Sequence, residues 1–168
     1  MIEPLKSRCG FVAVLGAPNA GKSTLINELV GAKVSIVTHK VQTTRIRIMG
    51  IAKKDESQVV FIDTPGIFEP RRRLDRAMVE AAWRGANDAD RIMLVVDAKR
   101  GMDRDTTRIV TGLSKSKRTA VLVLNKIDLV ARKDLLELAA KFNASKNFDE
   151  TSWQLIQTSG WVLINDFE

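Results

Sequence analysis

Cysteine and histidine are almost missing from this chain: Cys9 and His39 are the only ones, and there are four prolines. One cysteine excludes an internal disulfide and suits a reducing compartment; Cys9 is expected as a small core residue at the edge of the first strand. No segment approaches the roughly 20 consecutive apolar residues of a membrane span, and residues 1–9 carry no apolar run of signal-peptide length. A cytoplasmic location is expected. Internal repeats, low-complexity tracts and Pro/Gly linkers are also lacking, so nothing marks a second domain. Acidic charge is in the minority, with Asp and Glu at 20 against 27 Lys and Arg, for a net charge of +7. Such a balance draws the chain to polyanions, either RNA or an anionic membrane surface. Peripheral association at the inner membrane is compatible with that charge, and so is basicity that merely serves a phosphate ligand or solubility.

At 168 residues, 45% hydrophobic and 28% charged, the chain can bury one ordinary core. Phe11 to Leu15, Val59 to Ile62, Ile92 to Val96 and Ala120 to Leu124 read as strands, the last two as strands buried on both faces. Arg45 to Ile51 alternates, with Ile46 and Ile48 opposite Arg45 and Arg47, as in an edge strand wet on one side. Between them lie helical patterns: Leu25, Ile26, Leu29, Val30; Leu74, Met78, Ala81, Ala82; Thr106, Ile109, Val110, Leu113; and Leu135, Leu136, Ala139, Phe142. Lys33 to Thr44 reads as a loop. Strands alternating with helices predict a parallel α/β sheet whose ligand sits beyond the carboxyl ends of the strands.

The first of those ends carries Gly16-Ala17-Pro18-Asn19-Ala20-Gly21-Lys22-Ser23-Thr24. A GxxxxGKS loop between strand and helix lets backbone N–H groups and the helix N-terminus face phosphate oxygens. Lys22 is placed to reach β- and γ-phosphates, Ser23 to bind Mg²⁺, and Asn19, Ala20, Gly21 and Thr24 to complete the nucleotide cradle. After the strand Val59 to Ile62 comes Asp63-Thr64-Pro65-Gly66. Its carboxylate can hold Mg²⁺ through water, and the unhindered Gly66 N–H can meet a γ-phosphate oxygen. Alone, that stretch could be an ordinary turn. After Ala120 to Leu124 comes Asn125-Lys126-Ile127-Asp128. One carboxylate, Asp128, can grip the adjacent N1 and N2 donors of guanine; Asn125 can tie this loop to the phosphate loop and contact the base, and the Lys126 stem can cover a ring face. A helix cap would use the same residue types, but the order of the three motifs, each after a strand, is specific.

With these residues the chain resembles the translation-factor class of GTPases and, within it, the Era family of ribosome-assembly GTPases. Besides GAPNAGKST, DTPG and NKID, the likeness rests on Lys33-Val34-Ser35-Ile36-Val37, Gln42-Thr43-Thr44-Arg45 and Arg72-Arg73-Leu74-Asp75-Arg76, and it runs from about Arg8 to Glu150. It implies an α/β, Ras-like P-loop NTPase fold, mainly a parallel sheet with one antiparallel edge strand and helices on both faces. It implies switch I over Lys33 to Arg45 and switch II from Asp63 to about Trp83. Thr44, in preference to Thr43, is the expected switch I ligand of Mg²⁺, so Ser23, Thr44 and Asp63 form the metal set and Lys22, Thr44 and Gly66 act on the reacting phosphate. His39, in switch I, reads as solvated.

The resemblance implies a GTP-binding and slowly GTP-hydrolysing switch in small ribosomal subunit assembly. Ile67 stands where Ras-type enzymes place a water-orienting glutamine, so unassisted turnover should be slow. Asn19 matches the loop asparagine of potassium-activated relatives, which implies K⁺ dependence; a loop-stabilising role is the alternative. The family's C-terminal KH domain and Ser-Ala motif find no match. Residues 1–151 are therefore expected to be the GTPase domain, and residues 152–168 an atypical tail in place of the last strand, the Ser-Ala loop and the closing helix. A frame change or an authentic divergent terminus would explain that tail equally. Without the closing helix, self-association through the uncovered face is expected. Two other readings stay open: a truncated nucleotide-binding fragment without effective turnover, and a related GTPase of tRNA modification or the large subunit. The Arg71 to Arg73 cluster reads first as a solvated face, and as an RNA contact only second.

Overall fold

Each apolar run of the sequence becomes a strand of one sheet. The computed structural model describes residues 8–30, 47–54, 57–64, 66–70, 72–157 and 160–164. In chain order these form β1 (Arg8–Leu15), α1 (Lys22–Val30), β2 (Arg47–Lys54), β3 (Ser57–Asp63), α2 (Arg73–Asp88), β4 (Arg91–Asp97), α3 (Arg104–Ser116), β5 (Ala120–Asn125), α4 (Arg132–Asn143), β6 (Phe148–Gln157) and β7 (Gly160–Ile164). The sheet order is β2-β3-β1-β4-β5-β6-β7. From β3 to β6 every pairing is parallel. β2 is antiparallel to β3 at one edge, and β7 is antiparallel to β6 at the other.

Strand alternation sends side chains to two cores. Ala13, Leu15, Ile92, Leu94, Val96, Leu122 and Leu124 face α2, α3 and α4, where Ala82, Ala86, Ile109, Leu113, Leu138 and Phe142 meet them. Val14, Phe61, Val95 and Val123 face the opposite way, toward Leu25 and Ile26 of α1. Fully burying one such Leu, Ile or Phe contributes about 1.5–3 kcal/mol, which is why the unbroken aliphatic runs occupy the middle of the sheet. Phe142 and Phe148 close one end of the larger core edge to face, with centroids 5.6 Å apart. Helices thus cover both faces, and the parallel order leaves β1, β3, β4 and β5 ending at one rim.

Several local expectations need correction. The row Leu74, Met78, Ala82 of α2 falls from 71% through 38% to 0% exposed, so only its far end reaches the sheet. Val79 and Trp83 complete the packed face, while Ala81 lies off it. On α4, Leu138 takes the buried place expected of Leu136, which is 48% exposed. Cys9 is exposed: the first residues of β1 stay open to solvent, and only Ala13, Val14 and Leu15 at its end are buried. The edge strand runs from Arg47 to Lys54 and is bulged between Ile48 and Gly50; Arg45 and Ile46 lie outside the described residues, as does the loop Lys33 to Thr44. At the expected boundary, β6 crosses residue 152 and stays in parallel register with β5 as far as Trp153 opposite Leu124. Its run of Thr, Trp, Leu and Ile is β-prone. Among the described residues no helix follows β6; the chain turns instead into β7.

Candidate nucleotide site

At the rim where the parallel strands end, β1 gives way at Gly16 to a tight loop that closes at Gly21, and α1 begins at Lys22. Two glycines are dictated by crowding. A Cβ on Gly21 would lie 2.2 Å from Asn125 Nδ2, at a φ of +92°, and one on Gly16 would lie 2.5 Å from the Val95 carbonyl oxygen. Lys22 Nζ donates to the carbonyls of Gly16 at 3.1 Å and Ala17 at 3.0 Å, which places the ammonium within the curve of the loop. Ser23 and Thr24 are exposed in the first turn of α1, and that turn holds no acidic residue to offset the positive end of the helix. The arrangement suits an anion of phosphate type. Asn19, at φ 63°, is exposed beside buried Ala20.

Asp63 is the last residue of β3, opposite Val14 of β1. The residues after it are tied to β1 and to the start of the phosphate loop: buried Thr64 donates from Oγ1 to the Val14 carbonyl of β1 at 2.6 Å, and the Ile67 N–H donates to the Gly16 carbonyl at 3.3 Å. Gly66 fits against Pro18, where a Cβ would come within 3.4 Å. A hydroxyl at the start of α1 and a carboxylate at the end of β3 are hard oxygen donors, few in number, and that is the protein share Mg²⁺ takes when phosphates and water supply the rest. Ser23 and Asp63 therefore fit Mg²⁺. Thr44, Thr43 and His39 lie outside the described residues.

The third motif joins the same site. Asn125, 1% exposed at the end of β5, donates from Nδ2 to the Ala20 carbonyl at 3.0 Å. Its Oδ1 is buried with no partner among the described residues, an acceptor left for a ligand's donor. Lys126, with a left-handed φ of 59°, donates to the Asn19 carbonyl at 2.9 Å and to Asp97 Oδ2 at 2.7 Å. Asp128 stands exposed in the short turn Ile127–Leu129 that follows. Asn19, Ala20, Gly21, Lys22, Ser23, Thr24, Gly66, Asn125, Lys126 and Asp128 thus gather at one rim. The sequence reading gives Asp97 and Thr64 no role, although Asp97 ends β4 where a parallel sheet collects its chemistry. Burial raises the Asp97 pKa, but the hydrogen bond and charge of Lys126, with the N–H groups of Arg100 and Lys99, outweigh it and hold the carboxyl below its ordinary 3.8. The pair is therefore at full strength above that value and is lost only as pH falls below it, so this ion pair is intact near neutrality.

A family model described as "50S ribosome-binding GTPase" matches residues 11–126. Among curated proteins, the GTPase Era of Sinorhizobium medicae is 62% identical over 145 residues, covering 86% of this chain and 47% of that protein. The GTPase Era of Agrobacterium fabrum is 59% identical, covering 88% and 46%. Among solved structures, Era in complex with MgGDPNP and a segment of 16S ribosomal RNA superimposes with a TM-score of 0.72 at 36% identity, covering 88% of this chain and 51% of that one. A single-residue variant of Aquifex aeolicus Era bound to GDP and aluminium fluoride gives 0.69 at 37% identity, covering 86% and 50%. The chain spans about half the length of the curated relatives it matches. With its phosphate loop, DTPG turn and NKID loop assembled at one rim of a mainly parallel sheet, the chain belongs to this GTPase family, as an Era-type GTPase domain.

Proposed function

We propose that this domain binds GTP and GDP with Mg²⁺ and hydrolyses GTP slowly, as a molecular switch in small ribosomal subunit assembly. The observation that carries the reading is the side-chain link from Asn125 to Ala20, which joins a guanine-reading loop to a phosphate-binding loop across 105 residues of sequence. Guanine presents its N1 and N2 donors to Asp128, and the Lys22 ammonium lies where charge develops on the transferring phosphoryl group. Ser23 and Asp63, with Thr44 from switch I, hold the Mg²⁺ that neutralises the phosphates. Turnover is slow because Ile67 is an apolar side chain, 2% exposed, at the place from which a polar one would orient the attacking water. Competition between fluorescent GDP and unlabelled GDP, GTP, ADP and ATP tests the binding. The guanine nucleotides should displace the probe at concentrations at least tenfold lower than the adenine ones, and equal displacement would overturn the assignment.

Asn19, exposed at the tip of the phosphate loop, is proposed to help K⁺ sit beside the transferring phosphate and supply the charge an arginine finger would bring. Exchange of K⁺ for Na⁺ at constant ionic strength should slow phosphate release, by about a hundredfold or more if the ion stabilises charge as one lost donor would. Equal rates in the two salts would remove the ion from the mechanism.

The relative solved with 16S ribosomal RNA supports ribosomal RNA and the small subunit as partners of this family member. For the present chain we propose a cytoplasmic setting, with its +7 charge giving loose contact to RNA and to the inner membrane surface. Residues 1–151 are proposed as the functional GTPase unit, with 152–168 as an atypical tail. Met93 and Val121, only half-buried on the α1 side of the sheet, support self-association there. RNA binding by this chain should be weak, indifferent to sequence, and steeply salt-dependent, since scattered Lys and Arg contact phosphates without reading bases. Titration of a 16S-derived oligonucleotide and a scrambled one over a salt series checks this; tight, sequence-selective binding at physiological salt would contradict it.

A further inference from the structure

Three consecutive carbonyls of the phosphate loop are gripped from outside it. Arg100 Nη1 donates to Pro18 at 3.0 Å, Lys126 Nζ to Asn19 at 2.9 Å and Asn125 Nδ2 to Ala20 at 3.0 Å. Two of those grips pass through one side chain. Asp97, at the end of β4, accepts Lys126 Nζ on Oδ2 at 2.7 Å, and its Oδ1 accepts the N–H of Lys99 at 3.0 Å and of Arg100 at 3.4 Å. The Asp97 carbonyl takes the Arg100 and Gly101 N–H groups at 3.0 and 2.9 Å, fixing the turn from which Arg100 departs. Arg100 is in turn aligned by Asp103, 2.6 Å from its Nη2. Asp103 itself caps α3 by accepting the Thr106 N–H.

We propose that Asp97 is a positioning residue for nucleotide binding, the hub of a brace that fixes the phosphate loop relative to the guanine loop through Lys126 and Arg100. The brace rests on the nucleotide-binding reading above but assigns to it a residue outside all three motifs. A nucleotide bound by its base at one loop and by its phosphates at the other is held well only if the two loops keep their separation. Asp97 touches neither end. It works because its side chain is only 11% exposed, so the charge it offers Lys126 is poorly screened by water. With the carboxylate neutralised, Lys126 loses its anionic partner, and the ammonium that should bridge β4 to the Asn19 carbonyl is free to turn to solvent.

The test is the release rate of fluorescent GDP, and of fluorescent ADP as control, from the full chain and its variants, read beside thermal unfolding and steady-state turnover. Asp97→Asn keeps an oxygen to accept the Lys99 and Arg100 N–H groups while removing the charge. It should release GDP about tenfold to a hundredfold faster, the effect of losing one charge-assisted hydrogen bond. KM for GTP should rise with kcat nearly unchanged, a split that general loosening of the fold would not give. In a Lys126→Met background the Asp97→Asn effect should largely vanish, because the two act as one unit. Arg100→Gln, at a side chain 43% exposed and so tolerant of change, should also hasten release, and it decides the question if Asp97→Asn fails to fold. Release unchanged in Asp97→Asn, or in Arg100→Gln when it must decide, would overturn the brace, as would full additivity of Asp97→Asn with Lys126→Met. A wild-type chain that holds GDP no better than ADP overturns the guanine reading instead; faster release of both from Asp97→Asn would still support the brace.

Discussion

Lys22→Ala should leave a folded protein with no measurable GTP turnover. Among the described residues, its ammonium is the one side-chain charge placed within the curve of the phosphate loop, donating to the Gly16 and Ala17 carbonyls. When phosphates enter, the same three donors can turn toward the β- and γ-oxygens without moving the stem far, so the loop is already shaped for the charge that develops during transfer. Removing a preorganised donor of this kind costs about 10²–10³ in rate, which from a slow starting point falls below detection. The Lys22 aliphatic stem contributes little to either core, so unfolding temperature should change little. Phosphate release under single-turnover conditions, with circular dichroism beside it, checks both parts. Turnover at the wild-type rate in Lys22→Ala would mean that the chemistry lies elsewhere.

Asp128→Asn should exchange one nucleotide preference for another. The carboxylate accepts from both N1–H and the N2 amino group of guanine; an amide keeps one acceptor and replaces the other with a donor that faces the amino group. Xanthine carries an oxygen at that position, so xanthosine triphosphate gains what GTP loses. Loss of a charge-assisted pair costs on the order of 1.5–3 kcal/mol, roughly tenfold to a hundredfold in affinity. Because Asp128 is exposed in a short turn, the substitution should leave stability as it is. Competition binding with the two triphosphates measures the exchange, and an unaltered preference for GTP would remove Asp128 from the base site.

What could be read from the chain and what could not divide along a physical line. The phosphate loop is a local structure: Gly16 and Gly21 permit the close approaches, and strand and helix on either side aim it, so adjacent residues suffice to recognise it. The same holds for α3, where Thr106, Ile109, Val110 and Leu113 are all buried at helical spacing. The tie from Asn125 to Ala20 follows from the motif once the parallel sheet brings β1 and β5 to one rim. Asp97 was not legible, because an aspartate ending a strand looks like any turn residue until Lys126, 29 positions later, is found 2.7 Å away. Thr64 hides similarly, its hydroxyl bonded to a carbonyl 50 residues earlier. Periodicity alone gave the row containing Leu74 and Met78 but not where the sheet beneath it stops. Cys9 fails for the same reason at the start of β1. Through β6, the tail shows that β-prone residues can extend a parallel strand even where the family's motif is missing.

Asp97, Lys126 and Arg100 add a constraint that neither the motif residues nor the sheet imposes by itself. The phosphate loop is carried by β1 and α1, the guanine loop by β5, and β4 lies between them in the sheet. A residue at the end of the intervening strand is therefore the natural place from which to fix both. Arg100, which donates to the Pro18 carbonyl, is also paired with Asp103 at the capped start of α3.

The central claim is that this domain cleaves GTP by means of the gathered motifs, and time-resolved phosphate release from the intact chain tests it most directly. With Mg²⁺ and K⁺ present, GTP should give slow, protein-dependent release that chelation of Mg²⁺ and the Lys22→Ala substitution each abolish, while ATP at the same concentration should give none above background. Release from ATP at the rate seen with GTP, or no release from GTP by a protein that binds it, would contradict the account.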